Sequence, residues 1–380
     1  MATKKSTVVR KVQAGALRLT FQGLERGAPN VGARLAERLW FSVGTPPPRP
    51  VRERHGVPDG DAFTVPLSGR QVHGVSFGDP SAPRAYLVHG WGGWWQQLSS
   101  FIPLLLDRGY RVVAFDALAH GESGPGRHGR RSSTVPEMAD SYRAVVDRVG
   151  RPALTVAHSM GCLSVLWAQR QHGLAPARQV LLAPAATTAG MLDVFSRTLT
   201  LGPSVRAGLQ RRFRARMGRP LSDFDLLPLV TAEQHEGSLS PALVVHDSED
   251  EMTSAIESQR LVQEWLGARL RLTRGLGHYR LLRAPEVLSA TEQFLGTEVE
   301  SDRGCWERRP GGEPEPAYPR RSSTPRMKAA WPACFRQSST TLTSRTARVT
   351  GGSQLSSTTR SRSAADSAPT NSMVRACTAS

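Results

Sequence analysis

Ser159 stands where the apolar run ALTVAH passes directly into the helix-like segment MGCLSVLWAQR. A sharp turn between a strand and a helix lifts a serine hydroxyl clear of the sheet and strains its backbone. The residues two positions away, Ala157 and Gly161, are small enough to let the strand and the helix come close together. This pattern predicts a nucleophilic serine, and a serine that only caps a helix is the simpler alternative.

A serine nucleophile needs a general base, and the base needs a carboxylate to orient it. The run PALVVHDSEDEM ends in four acidic side chains, and RLRLTRGLGHYRLL then places His278 in a glycine-flanked loop. Serine, acid and histidine follow one another in the order expected after a turn of this kind. We predict His278 as the base, with its acid among residues 247–251, whereas an ordinary loop histidine is the alternative.

A glycine-rich loop, HGWGG, follows the apolar run AYLV and is similar to loops that donate a backbone N–H to an oxyanion. We predict that the backbone N–H groups of Trp91 and Met160 form the oxyanion hole. A plain turn with exposed tryptophans is the alternative, but it accounts poorly for three tryptophans at one strand end. The residues predicted to line the substrate pocket are His89, Gly90, Trp94, Trp95 and His158.

Apolar runs alternate with helix-like segments from residue 62 onward, which is typical of parallel strands joined by helical crossovers. Two alternating runs at the front, AFTVPL and QVHGVSFG, predict an antiparallel edge. Residues 186–240 are expected to form a small helical cap that selects the substrate. Its segment RRFRARMGR carries five arginines, which we interpret as a solvated helix face in preference to a site for an anionic substrate.

Five segments, LVHGWGG, FDALAHGESG, VAHSMG, LVVHDSEDEM and GLGHYRLL, together resemble the successive signatures of the α/β-hydrolase superfamily over roughly residues 62–298. The resemblance implies an α/β-hydrolase fold, a mostly parallel sheet with helices on both faces and a small helical cap. It implies Asp250 as the acid, three residues after the His-Asp pair, with Asp247 in reserve. Asp116 and His120 match a family loop and are expected to shape the site.

The activity that the resemblance implies is hydrolysis of a carboxylic ester or thioester through an acyl-enzyme on Ser159, without a metal or an organic cofactor. Its expected partner is a small-molecule acyl substrate. A serine in this position argues against a dehalogenase, which needs a carboxylate there. The alternatives are an acyltransferase, a C–C bond or peptide hydrolase of the same fold, and a catalytically idle scaffold that binds a ligand in the same pocket.

Two segments flank the predicted hydrolase domain of residues 62–298. Residues 1–61 form a partly helical extension, whose stretch VGARLAERLWFSVG we expect to pack on the domain and not on a membrane. Residues 299–380 are predicted to be a disordered, basic tail, because residues 301–380 contain 24 Ser and Thr and no sustained apolar periodicity.

The formal net charge is +17, and residues 301–380 supply +8 of it. No nucleic-acid-binding module is visible, so we expect no nucleic-acid partner. Cys162 is the one cysteine before residue 300, which favours a reducing compartment and a cytoplasmic location. The sequence predicts no signal peptide and no membrane span, and it favours no oligomeric state.

Overall fold

An eight-stranded sheet lies at the centre of the computed structural model, which describes residues 2–44 and 57–296, with side chains from residue 15 onward. The predicted disordered tail of residues 299–380 lies outside the described residues. The strands follow one another along the chain as β1 Asp61–Leu67, β2 Arg70–Phe77, β3 Arg84–Val88, β4 Arg111–Asp116, β5 Pro152–His158, β6 Arg178–Leu182, β7 Ala242–Asp247 and β8 Ala268–Thr273.

The strands lie in the spatial order β1-β2-β4-β3-β5-β6-β7-β8. β1 pairs antiparallel with β2, and β2 pairs antiparallel with β4, which confirms the predicted antiparallel edge. All later pairings, from β4 and β3 through to β8, are parallel. The carboxyl ends of β3, β5, β7 and β8 therefore meet at one edge of the sheet, where the predicted site residues follow them.

Helices cover both faces of the sheet, as the sequence predicted. Those within the described residues are α1 Ala2–Gly27, α2 Pro29–Trp40, α3 Phe101–Asp107, α4 Val135–Val149, α5 Met160–His172, α6 Thr188–Leu199, α7 Pro203–Met217, α8 Leu226–His235, α9 Ala255–Glu264, α10 Gly277–Arg280 and α11 Pro285–Gly296. None of these helices combines the length and apolar character needed to cross a bilayer.

The buried side chains form two clusters on opposite faces of the sheet. Val112 and Val113 are neighbours on β4, yet they belong to different clusters, because successive strand residues point to opposite faces. The cluster with Val112 contains Phe101 of α3 and Phe294 of α11. The cluster with Val113 contains Tyr142 of α4, and residues of α5 and of the cap belong to it as well.

The predicted cap consists of α6, α7 and α8, which lie between β6 and β7. α1 and α2 precede the sheet in the chain and belong to the same side of the molecule as the cap. Phe21 of α1 and Trp40 of α2 are buried in the cluster that also contains Phe195 of α6. α2 packs along α7, and α1 contacts α6.

Candidate active site

Ser159 lies in a one-residue turn between β5, which ends at His158, and α5, which begins at Met160. Its backbone has φ 52° and ψ −118°, a conformation that costs a non-glycine residue on the order of 1–3 kcal/mol. The N–H of Ser159 donates to the carbonyl of Leu182 at the end of β6 at 2.9 Å, which helps to hold the turn. The residue stays partly exposed, although its neighbours on both sides are buried.

Small residues surround this turn because the backbones of β3 and α5 approach each other there. A Cβ atom on Gly161 would lie 2.6 Å from the carbonyl oxygens of both Val88 and His89, closer than real Cβ atoms come. Ala157, on the strand side of the turn, is fully buried. The small residues that the motif requires therefore have a steric reason in this chain.

Ser159, His278 and Asp250 form one hydrogen-bonded chain. The Ser159 hydroxyl donates to Nε2 of His278 over 2.9 Å, and Nδ1 of His278 donates to Oδ2 of Asp250 over 2.7 Å. The His278 side chain is 4% exposed and that of Asp250 is fully buried. The structure thus brings together three side chains that the sequence separates by 119 and 28 positions.

The Asp250 carboxylate is surrounded by donors. Its Oδ1 accepts the backbone N–H groups of Met252 at 2.7 Å and Thr253 at 3.1 Å, and its Oδ2 accepts the Thr253 hydroxyl at 3.0 Å. His246 Nε2 lies 3.5 Å from the same oxygen. Burial alone would raise the pKa of Asp250, but the hydrogen bonds from His246, His278 and Met252 outweigh it and hold that pKa well below its usual range.

Asp247, the reserve candidate for the acid, has a different set of partners. Its Oδ2 accepts the Thr273 hydroxyl at 2.8 Å and the Leu276 N–H at 2.9 Å. Asp247 therefore ties the end of β7 to the loop that carries His278. Asp250 contacts the imidazole of His278 directly, whereas Asp247 contacts the loop around it.

His158 supports the loop of His278 from below. Its Nε2 donates to the backbone carbonyl of His278 over 3.0 Å, and the two imidazole rings lie 4.7 Å apart. Burial, reinforced by the neighbouring His278, holds the pKa of His158 well below its ordinary value. His158 is therefore a neutral donor that fixes the position of the other histidine.

The two predicted oxyanion donors lie beside Ser159. Trp91 and Met160 both line the cavity into which the serine faces, and within the described residues neither backbone N–H has a protein acceptor. Met160 is the first residue of the thirteen-residue helix α5, so its N–H lies at the positive end of the helix dipole. The arrangement can accept a developing negative charge on a substrate oxygen.

Comparison with known proteins places this arrangement in a family. A model of the alpha/beta hydrolase family matches residues 85–291, which include every strand from β3 to β8 and all three residues of the hydrogen-bonded chain. The chain belongs to this family.

The individual relatives of this chain are distant. Over 102 residues, or 26% of this chain and 28% of the relative, it is 31% identical to Epoxide hydrolase B of Mycobacterium tuberculosis. Over 108 residues, or 26% of this chain and 36% of the relative, it is 36% identical to a Pimeloyl-[acyl-carrier protein] methyl ester esterase of Methylococcus capsulatus. The chain thus matches about a third of the length of these curated relatives.

The solved structure of a hydrolase from Pseudomonas aeruginosa PA01 is 20% identical in sequence to this chain and superimposes with a TM-score of 0.48. The match covers 64% of this chain and 100% of the other.

A cavity of about 210 Å³ opens beside Ser159 in the hydrolase. The cap supplies one wall through the α6 side chains Met191, Val194, Phe195 and Thr198, and the loops after the strands supply the other. About half of the lining side chains are apolar, and Glu251 is the acidic residue among the described ones.

Two of the five residues predicted to line the pocket, Gly90 and His158, border this cavity, whereas His89, Trp94 and Trp95 do not. The chain turns back after the glycines, where the Gly93 N–H donates to the carbonyl of Gly90 at 3.0 Å. Trp95 then begins a short 3-10 helix and packs its ring 5.8 Å from that of Phe77. Trp94 is 8% exposed and buried away from the cavity.

His89 has a bracing position between two loops. Its Nε2 accepts the N–H of Ala117 at 3.0 Å, and its Nδ1 donates to the carbonyl of Gly90 at 2.7 Å. Burial lowers the pKa of His89 and outweighs the opposing charge of Asp116. A neutral imidazole therefore holds the glycine-rich loop that follows β3 against the end of β4.

Asp116 and His120, which were expected to shape the site, contact the segments around Trp91. The Asp116 carboxylate accepts the N–H groups of Trp95 at 2.8 Å and Glu122 at 2.9 Å. The His120 ring packs edge-on against Trp91 with centroids 5.3 Å apart. Both contacts support the loop that carries the Trp91 N–H.

The arginine-rich segment of α7 differs from the interpretation as a solvated face. Arg212 and Arg216 both pair with Glu37 of α2, at 2.5 Å and 3.3 Å, and the Arg216 guanidinium lies 3.9 Å from the ring centroid of Phe41. No arginine within the described residues lines the cavity beside Ser159. Two of the five arginines therefore attach the N-terminal extension to the cap and do not face the substrate cavity.

Several residues that complete this site were not predicted from the sequence. His246 could have been found from the sequence, because it forms the His-Asp pair at the end of β7. In the structure, its Nδ1 forms a hydrogen bond with the Ser258 hydroxyl over 2.6 Å. Thr253 and Phe195 gave no signal. They lie in a loop and in a cap helix, where apolar periodicity does not show which side faces the cavity.

Proposed function

We propose that the hydrolase cleaves a carboxylic ester or thioester with a short, uncharged acyl group, through an acyl-enzyme on Ser159. The observation that supports this most directly is the hydrogen-bonded chain of Ser159, His278 and Asp250 at a strained strand-to-helix turn. Of the activities named for the two relatives, ester cleavage is the one that this arrangement serves, since a serine oxygen activated by a histidine attacks an acyl carbon.

In the first half of the reaction, the Ser159 oxygen attacks the carbonyl carbon and its proton passes to Nε2 of His278. The negative charge that develops on the carbonyl oxygen is held by the N–H groups of Trp91 and Met160, each typically worth on the order of 3 kcal/mol in such sites. Asp250 keeps Nδ1 protonated and stabilises the imidazolium. His278 then gives its proton to the leaving alcohol or thiol, and an ester to Ser159 remains.

In the second half, Nε2 of His278 removes a proton from a water molecule, which attacks the acyl carbon. The tetrahedral intermediate is held by the same two N–H groups, and its collapse returns the proton to the Ser159 oxygen. The carboxylic acid leaves. The small size of the cavity, and the lack of an arginine among the described residues that line it, support a short acyl chain without a negative charge.

Replacement of Ser159 by alanine tests the proposal. We expect Ser159→Ala to lose turnover of p-nitrophenyl acetate by about 10³-fold or more, with thermal unfolding little changed. Ser289→Ala removes an exposed serine from α11 and is the matched control, with wild-type rates expected. A fluorophosphonate should label wild type and Ser289→Ala but not Ser159→Ala. Wild-type turnover by Ser159→Ala would refute the proposed nucleophile.

A further inference from the structure

The N-terminal helices α1 and α2 lie outside the segment that matches the family, yet they hold the cap. The Glu25 carboxylate of α1 accepts the N–H groups of Ser204 at 2.8 Å and Val205 at 2.9 Å, at the first turn of α7. Glu37 of α2 pairs with Arg212 and Arg216, which lie further along α7. The position of α7 is therefore set at both ends by residues of the extension.

The same extension also contacts α6, the cap helix that forms one wall of the cavity. The guanidinium of Arg18 donates to the carbonyl of Thr198 at 2.9 Å, and the Thr200 hydroxyl donates to the carbonyl of Arg18 at 3.3 Å. Thr198 itself lines the cavity. Contacts of the extension thus reach the wall of the cavity by way of one turn of α6.

Trp40, the last residue of α2, packs against the back of that wall. Its ring meets the ring of Phe195 edge-on, with centroids 4.9 Å apart and planes inclined by 74°. Phe195 lines the cavity, whereas Trp40 does not. Both side chains are almost fully buried, at 2% and 1% exposure, so the two rings meet inside the close-packed interior.

We propose that Trp40 is a specificity-determining residue of this hydrolase: by holding the Phe195 ring in place, it sets the depth of the acyl pocket. The inference rests on the proposed function, because it assigns this cavity to the acyl group. Trp40 acts through Phe195 and is therefore a positioning residue. Within the described residues its indole N–H has no hydrogen-bond partner, so its replacement removes packing alone.

The physical basis is the volume that the indole fills. Removing a large ring from a close-packed interior leaves a cavity that the surroundings fill only in part. The Phe195 ring can then turn or shift outward, and the acyl pocket becomes longer by a few methylene groups. Longer acyl chains gain apolar contacts in the enlarged space, whereas an acetyl group is too short to reach it.

The test measures kcat and KM of Trp40→Ala and wild type on p-nitrophenyl esters from acetate to octanoate. We expect the ratio of kcat/KM for octanoate to that for acetate to rise by about tenfold or more, mainly through a lower KM for octanoate. Trp40→Leu, which keeps part of the volume, should give a smaller change in the same direction. It also serves as the test variant if Trp40→Ala does not fold.

Trp265→Leu is the matched control. Trp265 is 1% exposed, and its indole N–H donates to the carbonyl of Ser240, just before β7 and thus at the opposite edge of the sheet. Its replacement should lower thermal stability without changing the order of preference among the esters. If Trp265→Leu shifted the preference as Trp40→Leu does, general loosening would explain both and the inference would be wrong.

A double-mutant comparison tests whether Trp40 acts through Phe195. Phe195→Ala alone should also favour longer esters, and adding Trp40→Ala to it should change the preference little further, because the ring that Trp40 holds is already gone. Fully additive effects, or an unchanged preference in Trp40→Ala, would overturn the inference. Fluorophosphonate labelling of Ser159 separates the two proposals: without labelling of folded wild type, the proposed function itself fails.

Discussion

At Gly161, two backbone carbonyls occupy the space that the Cβ atom of any other residue would take. Backbone atoms cannot yield as a flexible side chain can, so Gly161→Ala should force β3 and α5 apart. We expect the free energy of unfolding to fall by about 1–3 kcal/mol, with slower fluorophosphonate labelling of Ser159. Urea unfolding and labelling rates measure the two effects.

Gly23→Ala provides the comparison, because a Cβ at that position in α1 would meet nothing within 4 Å. Alanine is the better helix former by about 0.5–1 kcal/mol, so this variant should be as stable as wild type or more so. Equal stability of Gly161→Ala and Gly23→Ala would show that the close approach of β3 and α5 does not constrain residue 161.

The lowered pKa of Asp250 has a consequence for stability in acid. A carboxyl whose pKa is lower in the folded state stabilises the fold above its unfolded-state pKa of about 3.9, and that contribution is lost as the pH falls further. The difference in the free energy of unfolding between wild type and Asp250→Asn should therefore shrink as the pH falls below about 4. Urea unfolding at a series of pH values measures it.

Ester turnover of the two asparagine variants distinguishes the role of Asp250 from that of Asp247. Asp250→Asn removes the carboxylate that contacts His278 and should lower kcat on p-nitrophenyl acetate by about 10³–10⁴-fold. Asp247→Asn leaves that contact in place and should lose much less. The reverse order would make Asp247 the orienting acid.

Single residues at strand ends could be predicted from the sequence, whereas their surroundings could not. The positions of Ser159 and His278 follow from where apolar runs stop, and the structure joins them at 2.9 Å. The orientations of Trp94 and Trp95 depend on how the chain turns at Gly93, and no pattern of residue types reveals that direction. The contact of Trp40 with Phe195 joins positions 40 and 195, which neither motif nor periodicity links.

Between elements, the ion pair of Glu37 with Arg212 and Arg216 is the clearest polar link. The Glu37 side chain is 9% exposed, so it has little access to water as an alternative partner. Glu37→Gln keeps the shape and removes the charge. We expect it to lower the free energy of unfolding by about 1–3 kcal/mol, measured by urea unfolding.

Glu257→Gln tests whether any glutamate–arginine pair would do the same. Glu257 lies 3.1 Å from Arg260 one turn along α9, and the arginine is 61% exposed. Such surface pairs contribute less than about 0.5 kcal/mol. If both variants lost the same small amount, the link between α2 and α7 would be no stronger than a surface pair.

The order of strands and helices was predictable because the parallel strands from β3 to β7, unlike the edge strand β8, are buried on both faces and read as largely apolar runs. β5 and β7 are examples, with all but one of their thirteen residues buried. The attachment of α1 and α2 to the cap was not predictable. It depends on pairs such as Glu25 with the start of α7, which lie about 180 positions apart.

Across the whole molecule, as far as the structure describes it, the excess positive charge lies away from the proposed chemistry. The formal net charge is +17, but neither lysine nor arginine lines the cavity beside Ser159 within the described residues. Residues 301–380 supply +8 of the charge and lie beyond α11, the last described element. Charge is thus expected to affect what the protein adheres to and not which ester it cleaves.

A chain that ends at residue 300 tests this separation. It keeps α11, whose Phe294 is buried and whose Phe294 and Leu295 carbonyls accept the guanidinium of Arg178 at 3.2 Å and 3.0 Å. We expect its kcat/KM on p-nitrophenyl acetate to stay within about twofold of the full chain, because the cavity and its supports precede residue 300. Its net charge falls to +9, so it should elute from heparin at lower salt. A chain that ends at residue 284 lacks α11 and should fail to fold. If the chain that ends at residue 300 also failed to fold, residues 301–380 would be part of the folded unit. The predicted domain boundary would then be wrong.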